Sequence, residues 1–193
     1  MEVLFMKKKW FIIGGIVLVI LMAGGSCVSR YNQLVTLDEG VTAAWAQVEN
    51  VLQRRGDLIP NLVSTVKGIA QQEQKVFLGV AEARSKVAGA RTINEKVEAQ
   101  QGLDSALSRL LLVVEKYPEI KSNQNFMALQ DELSGTENRL SVERRRYNEA
   151  VQLYNVVVKR FPTNMIARVF GFGKKEAYFE AEAGAKGVPN VEF

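Results

Sequence analysis

Histidine is absent from this 193-residue chain, and cysteine occurs once. Together these remove Ser-His-Asp triads, Cys-His dyads and zinc sites built from His and Cys. An enzyme on this chain would have to work with Asp, Glu, Lys or Tyr alone. Proline is scarce too, with residues only at 60, 118, 162 and 189. There is no Asn-Gly hairpin signal and no alternating strand run, so nothing points to a sheet. Charge of one sign is also in short supply: 25 basic against 21 acidic residues leave +4. Most of that excess sits at Lys7–Lys9 and Lys174–Lys175, and the body lacks a continuous basic face with interleaved aromatics. Nucleic acid is therefore not an expected partner. Gly14-Gly15, Gly24-Gly25 and Gly171-Phe172-Gly173 lack the strand–loop–helix setting of a phosphate loop. Asp38-Glu39 and Asp131-Glu132 occupy adjacent helix positions, so their side chains diverge and neither pair makes a catalytic dyad or metal site. No catalytic residue, metal or cofactor is expected.

What the chain does have is one long apolar run at its start. Lys7-Lys8-Lys9 lead into Trp10, Phe11, Ile12, Ile13, Gly14, Gly15, Ile16, Val17, Leu18, Val19, Ile20 and Leu21, and no charge appears before Arg30. As a helix, residues 10–28 span about 28 Å, close to the hydrocarbon thickness of a bilayer. Three readings compete. A retained signal anchor fits the positive flank and the length. A cleaved secretory signal fits the small residues Ala23-Gly24-Gly25-Ser26. A lipoprotein signal would acylate Cys27, but Gly24 stands where a branched apolar residue is needed, so the anchor is preferred. Cys27 has no intramolecular partner; a free thiol at the membrane edge is the plainer reading, an intermolecular Cys27–Cys27 bridge the other. The lysines place the N-terminus in the cytoplasm and the body outside it. Met6 reads as the natural initiator, with Met1–Phe5 an upstream extension.

About 165 residues follow, enough for one domain with its own core. Apolar residues recur there at steps of three and four. The first stripe is Leu34, Leu37, Val41, Ala44, Val48 and Val51, widened by Trp45 and Leu52. A second runs from Leu58-Ile59-Pro60 through Leu62, Val66, Ile69, Val76, Val80 and Val87, broken at Gly89 and Thr92-Ile93-Asn94. A third holds Val97, Leu103, Leu107, Leu110, Val114 and Tyr117, stopped by Pro118. The fourth extends from Phe126 through Leu133, Leu140, Tyr147, Val151 and Tyr154 to Val158, ended by Phe161-Pro162. Such periods predict long helices packed at shallow angles. The expected fold is all-α: a single transmembrane helix, a long antiparallel four-helix bundle and a short C-terminal amphipathic segment. The expected division is a cytoplasmic tail 1–9, a transmembrane helix 10–28, the bundle 29–162, and an amphipathic segment with an extended tail 163–193.

Two clusters stand out. Arg54, Arg55, Asp57 and Pro60 fall where the first two body helices are expected to meet. Paired arginines there could hold a carboxylate or phosphate; the favoured alternative makes Asp57 the N-cap of a helix opened by Leu58 and Pro60. Near the other end, Met165, Ile166, Arg168, Val169, Phe170, Phe172 and Lys174 form an apolar patch with cations at its edge. It would lie in the headgroup layer, contact another subunit, or cap the base of the bundle. Arg144-Arg145-Arg146 read as an ion-paired helix surface, with Glu137, Glu143 and Glu149 within reach.

Several blocks resemble the LemA family. They include Tyr31-Asn32, Ala44-Trp45-Ala46-Gln47-Val48-Glu49-Asn50-Val51, and Gln53-Arg54-Arg55 leading to Asp57-Leu58-Ile59-Pro60-Asn61-Leu62-Val63. Ala81-Glu82-Ala83-Arg84, Phe126-Met127-Ala128-Leu129-Gln130-Asp131-Glu132-Leu133 and Glu137-Asn138-Arg139-Leu140 continue it. So do Arg145-Arg146-Tyr147-Asn148-Glu149-Ala150-Val151, Tyr154-Asn155 and Phe161-Pro162-Thr163-Asn164-Met165-Ile166-Ala167. Gly56 departs from the bulkier residue expected between Arg55 and Asp57. The resemblance implies a bacterial membrane protein with an N-terminal transmembrane helix and a helical bundle, and it supplies no activity. The expected function is a non-enzymatic, membrane-anchored helical scaffold that self-associates or holds another membrane protein, with membrane lipids as its other partner. The alternative is a peptide- or lipid-binding protein at the cell envelope.

Overall fold

The computed structural model describes residues 2–179, with side chains from Ile13 onward except those of Val19 and Ala23. The C-terminal tail expected to be extended therefore lies outside the described residues beyond position 179. So do the side chains of Trp10, Phe11 and Ile12. The described chain is helical, with no strand among the described residues. Six helices follow in order: α1 Glu2–Ile69, α2 Gln74–Gly89, α3 Ile93–Val114, α4 Pro118–Lys121, α5 Gln124–Lys159 and α6 Thr163–Phe170.

The apolar leader opens α1, which runs on into the body as the lack of Gly or Pro between Val28 and Val35 suggests. Its leading apolar residues are exposed: Ile16, Leu18 and Leu21 at 54, 60 and 67%. Among the described residues α1 alone is long and apolar enough to cross a membrane.

The expected corner at Arg54–Pro60 is not there. Helix α1 passes through Pro60 and ends at Ile69, so Asp57 caps nothing and the turn falls at residues 70–73. A proline inside a helix has no N–H for the carbonyl four residues earlier and costs about 3 kcal/mol. Here that carbonyl belongs to Gly56, and it is satisfied from α2: Arg84 Nε donates to it at 3.2 Å. Around the proline Leu58, Ile59, Leu62 and Val66 are all buried. At about 1.5–3 kcal/mol for each such side chain, burial outweighs the penalty. The local signal of Pro60 is overridden by packing.

Other breaks fall where the sequence puts them. Helix α2 ends at Gly89, and α3 opens on a capping box: Glu95 N–H donates to Thr92 Oγ1 at 3.2 Å, and Thr92 N–H donates back to Glu95 Oε2 at 3.3 Å. Pro118 follows the end of α3 and starts α4. The side chain of Asn123 caps α5, its Oδ1 accepting the N–H groups of Asn125 and Phe126 at 3.0 and 3.1 Å. Helix α6 ends on Gly171, whose φ of 79° suits glycine, and Phe172 N–H returns to Ala167 O at 2.9 Å.

The chain divides into two compact units. One holds residues up to Ala43 with Glu149–Glu176; its buried residues include Leu34, Val41, Val151, Tyr154 and Ala167. The other holds Ala44–Asn148 with the described residues from Ala177. Its core joins Ile59, Leu62 and Val66 of α1, Phe77 and Val80 of α2, Leu103, Leu107 and Leu110 of α3, Ile120 of α4, and Phe126 and Leu133 of α5. Apart from Phe77 and Ile120, which no stripe included, these are stripe positions read from the sequence, and they share one core because period-3.6 spacing lines each set along one helix face.

Candidate functional site

The Arg54–Pro60 cluster is split by its own helix. Arg54 points outward and pairs with Glu132 of α5. Arg55 is 6% exposed, reaching Asp104 of α3 at 2.8 Å and also Glu137 of α5. Asp104 further accepts a 2.9 Å bond from the buried Gln100 amide and lies 3.9 Å from Arg144. The Arg144 guanidinium in turn sits 5.2 Å from the centre of the Phe179 ring. Two cations and two carboxylates thus neutralise one another within the unit, as buried charges must. Arg54 and Arg55 thus each make ion pairs with carboxylates of the same unit. Of the arginine triplet, Arg146 makes the expected surface pair with Glu143 at 2.8 Å, whereas Arg144 turns inward.

Asp57 and Pro60 instead line a groove of about 1010 Å³ between α1 and α2. Its floor is apolar, from Leu52, Ile59 and Val63 on one side and Phe77, Val80 and Val87 on the other. Glu49, Lys67, Arg84 and Lys96 stand along it. Glu49 and Lys96 pair with each other, and Lys96 Nζ lies 5.9 Å from the Trp45 ring centre. An apolar trough with charged edges can hold a chain or an acyl group. Among the described residues no three or more His, Cys, Asp or Glu converge on a metal position.

The C-terminal patch belongs to the unit that also contains the leader. Met165, Arg168, Val169, Phe170 and Lys174 are exposed, while Ile166 and Phe172 are half-buried. Phe170 and Phe172 gather on Tyr31, with ring centres 4.8 and 5.8 Å away. After α6 the chain has no regular secondary structure through residue 179 and is held by α5. Tyr154 donates to Gly173 O at 3.0 Å, and the Asn155 amide both donates to Lys175 O and accepts from Lys175 N–H, at 2.8 and 2.9 Å. Lys175 closes the arrangement on Asp38 at 2.9 Å, while Lys174 lies 3.6 Å from Glu176. Burial raises the Tyr154 hydroxyl above its ordinary pKa; Asp38 pushes it the same way and Lys175 opposes. The hydroxyl therefore remains a proton donor.

The same Tyr-Asn pair recurs in the other unit. Asn148 donates to Phe179 O at 2.8 Å and accepts from Phe179 N–H at 3.0 Å, while the Phe179 ring packs on Trp45 and Tyr147. Sequence reasoning missed these amide clamps, although the recurrence of Tyr-Asn at 147–148 and 154–155 was available as a signal.

A model of the LemA family matches residues 44–193. The chain is also similar to the magnetosome proteins MamQ 1 and MamQ 2 of Paramagnetospirillum magneticum, each 28% identical over 184 residues, covering 80% of this chain and 66% of the relative. MamQ of Magnetospirillum gryphiswaldense is 27% identical over 181 residues with the same coverage. The chain thus spans just under two thirds of the length of these curated relatives.

Proposed function

This chain belongs to the LemA family, and on that premise we propose that it is a non-enzymatic, membrane-anchored helical scaffold that self-associates at the bacterial inner membrane. The observation that carries this is the leading apolar stretch of α1, which none of the described residues covers. Lipid is the cover that such a surface requires. In this reading Lys7–Lys9 keep the N-terminus cytoplasmic and the body lies outside. The shared core of α1, α2, α3 and α5 supports an antiparallel four-helix bundle as the body.

Self-association draws on the small residues of the leader. A Cβ added at Gly14, Gly15, Gly24 or Gly25 meets nothing within 4 Å. These positions form bare backbone on which a second membrane helix can pack closely. Cys27 is free and exposed beside them. Another membrane protein is a further candidate partner.

Disulfide crosslinking of the full chain in its membrane tests the proposal. A Cys27–Cys27 dimer that disappears in Gly24→Leu, with the body still folded, supports it. A chain released by carbonate extraction sinks the anchor, and a clean detergent monomer at every concentration sinks self-association. The groove between α1 and α2 favours a second reading, in which the body binds peptide or lipid at the envelope; native mass spectrometry showing no retained ligand counts against it.

A further inference from the structure

Helix α6 turns Thr163 and Ala167 inward, both almost inaccessible. On an α-helix, positions 165 and 169 lie on the side away from them. Those positions are Met165 and Val169, 62 and 79% exposed. Phe161, in the turn just before the helix, is 74% exposed as well. This short helix therefore has an apolar outer face as well as an inner one, which in a soluble surface would be a liability.

Its position says what covers that face. Tyr31 stands three residues beyond Val28, the last residue of the apolar run. At 1.5 Å per residue the separation along α1 is about 4.5 Å. The Tyr31 ring centre is 4.8 Å from that of Phe170, so the end of α6 sits at the depth where a bilayer's hydrocarbon gives way to headgroups. Tyrosine itself favours that layer. Charge agrees with place. Arg160 and Arg168 flank the strip, and no carboxylate among the described residues pairs with either.

We propose that α6 lies in the lipid headgroup layer beside the point where the leader helix leaves the bilayer. Met165 and Val169 reach the acyl boundary, and Arg160 and Arg168 extend to lipid phosphates. The occupant is an anionic lipid surface, because a free phosphate would satisfy the arginines and leave the apolar strip in water. A single spanning helix permits rotation about its axis; a second contact in the same unit removes that freedom. The inference rests on the membrane-anchored reading of α1.

The test uses the full chain with Cys27→Ser in liposomes containing anionic lipid, carrying a nitroxide on Val169→Cys or on Asn164→Cys. Both native residues are exposed, so neither change disturbs the core. The label at 169 is expected to collide several-fold more often with oxygen than with a water-soluble nickel chelate, and the label at 164 to show the reverse. That contrast should survive dilution of the protein into excess lipid. A label at 169 as wet as that at 164 overturns the proposal. Dryness at 169 that vanishes on dilution also overturns it, in favour of a second copy as the cover. Adding Arg160→Gln and Arg168→Gln is expected to raise nickel access at 169 several-fold, and no change removes the lipid-phosphate contact. Carbonate extraction of the same liposomes reads the anchor separately, so a failed anchor and a failed α6 contact are told apart.

Discussion

Arg55 and Arg54 are neighbours in sequence with opposite fates. Removing Arg55 leaves Asp104 and Glu137 facing each other with one fewer cation, and truncating one member of a buried pair costs about 3–5 kcal/mol. The 44% exposure of Glu137 puts Arg55→Ala at the low end of that range. Arg54→Ala removes only an exposed pair and should cost about 0–1 kcal/mol. Denaturant melts of the two variants give the comparison, and equal losses would mean the inward network is not what holds α1 to α3 and α5. Pro60 offers a second residue-scale test. Pro60→Ala restores an N–H for Gly56 O, so the Arg84 bond becomes redundant. Arg84→Ala should cost about 1 kcal/mol beside proline and less after Pro60→Ala. A double-mutant cycle with no coupling would refute this account of how α1 tolerates its proline.

Among the elements, α3 depends most visibly on a local device. Thr92→Ala removes half of its capping box and should cost about 1 kcal/mol. The N–H groups of Arg91 and Thr92 hold the Glu95 carboxyl below its ordinary pKa of 4.5. A carboxylate stabilised in this way contributes fully above the unfolded-state value and loses its contribution as pH falls through the lowered folded value. Stability of the native chain should therefore drop below about pH 4.5 more than that of Glu95→Gln, measured by melts across that range. Parallel curves would show that the box contributes no pH dependence. This element was legible: Thr92-x-x-Glu95 stands in the sequence right after the break at Gly89. The turn at residues 70–73 was not, because Ala70-Gln71-Gln72-Glu73 carries neither Gly nor Pro, and no side chain caps α2.

For the whole molecule, the proposed membrane attachment rests on the leader. Leu18→Arg places a charge near the middle of the apolar run, worth about 2.5–3.5 kcal/mol against insertion. Leu18 is exposed in the fold, so the body should stay folded while the membrane-bound fraction falls. Fractionation of cells expressing both chains gives the result, and unchanged retention would mean the leader is not the main attachment. The candidate site was legible by half. The run Met165–Lys174 announced itself by composition, but its closeness to Tyr31 joins residues from opposite ends of the chain. No local pattern carries that information.

The sequence by itself determined an all-helical chain, the apolar leader, the stripes that became the core, and the breaks at Gly89, Pro118 and Pro162. Each follows from backbone chemistry or from periodicity within a few turns. Tertiary structure alone decided that α1 would run through Pro60, that Arg55 and Arg144 would turn inward, and that Asn148 and Asn155 would grip the chain after α6. The physical reason is common to all three. A missing N–H, a buried charge or an unpaired backbone amide is satisfied by a partner far away in sequence, and only folding brings that partner near.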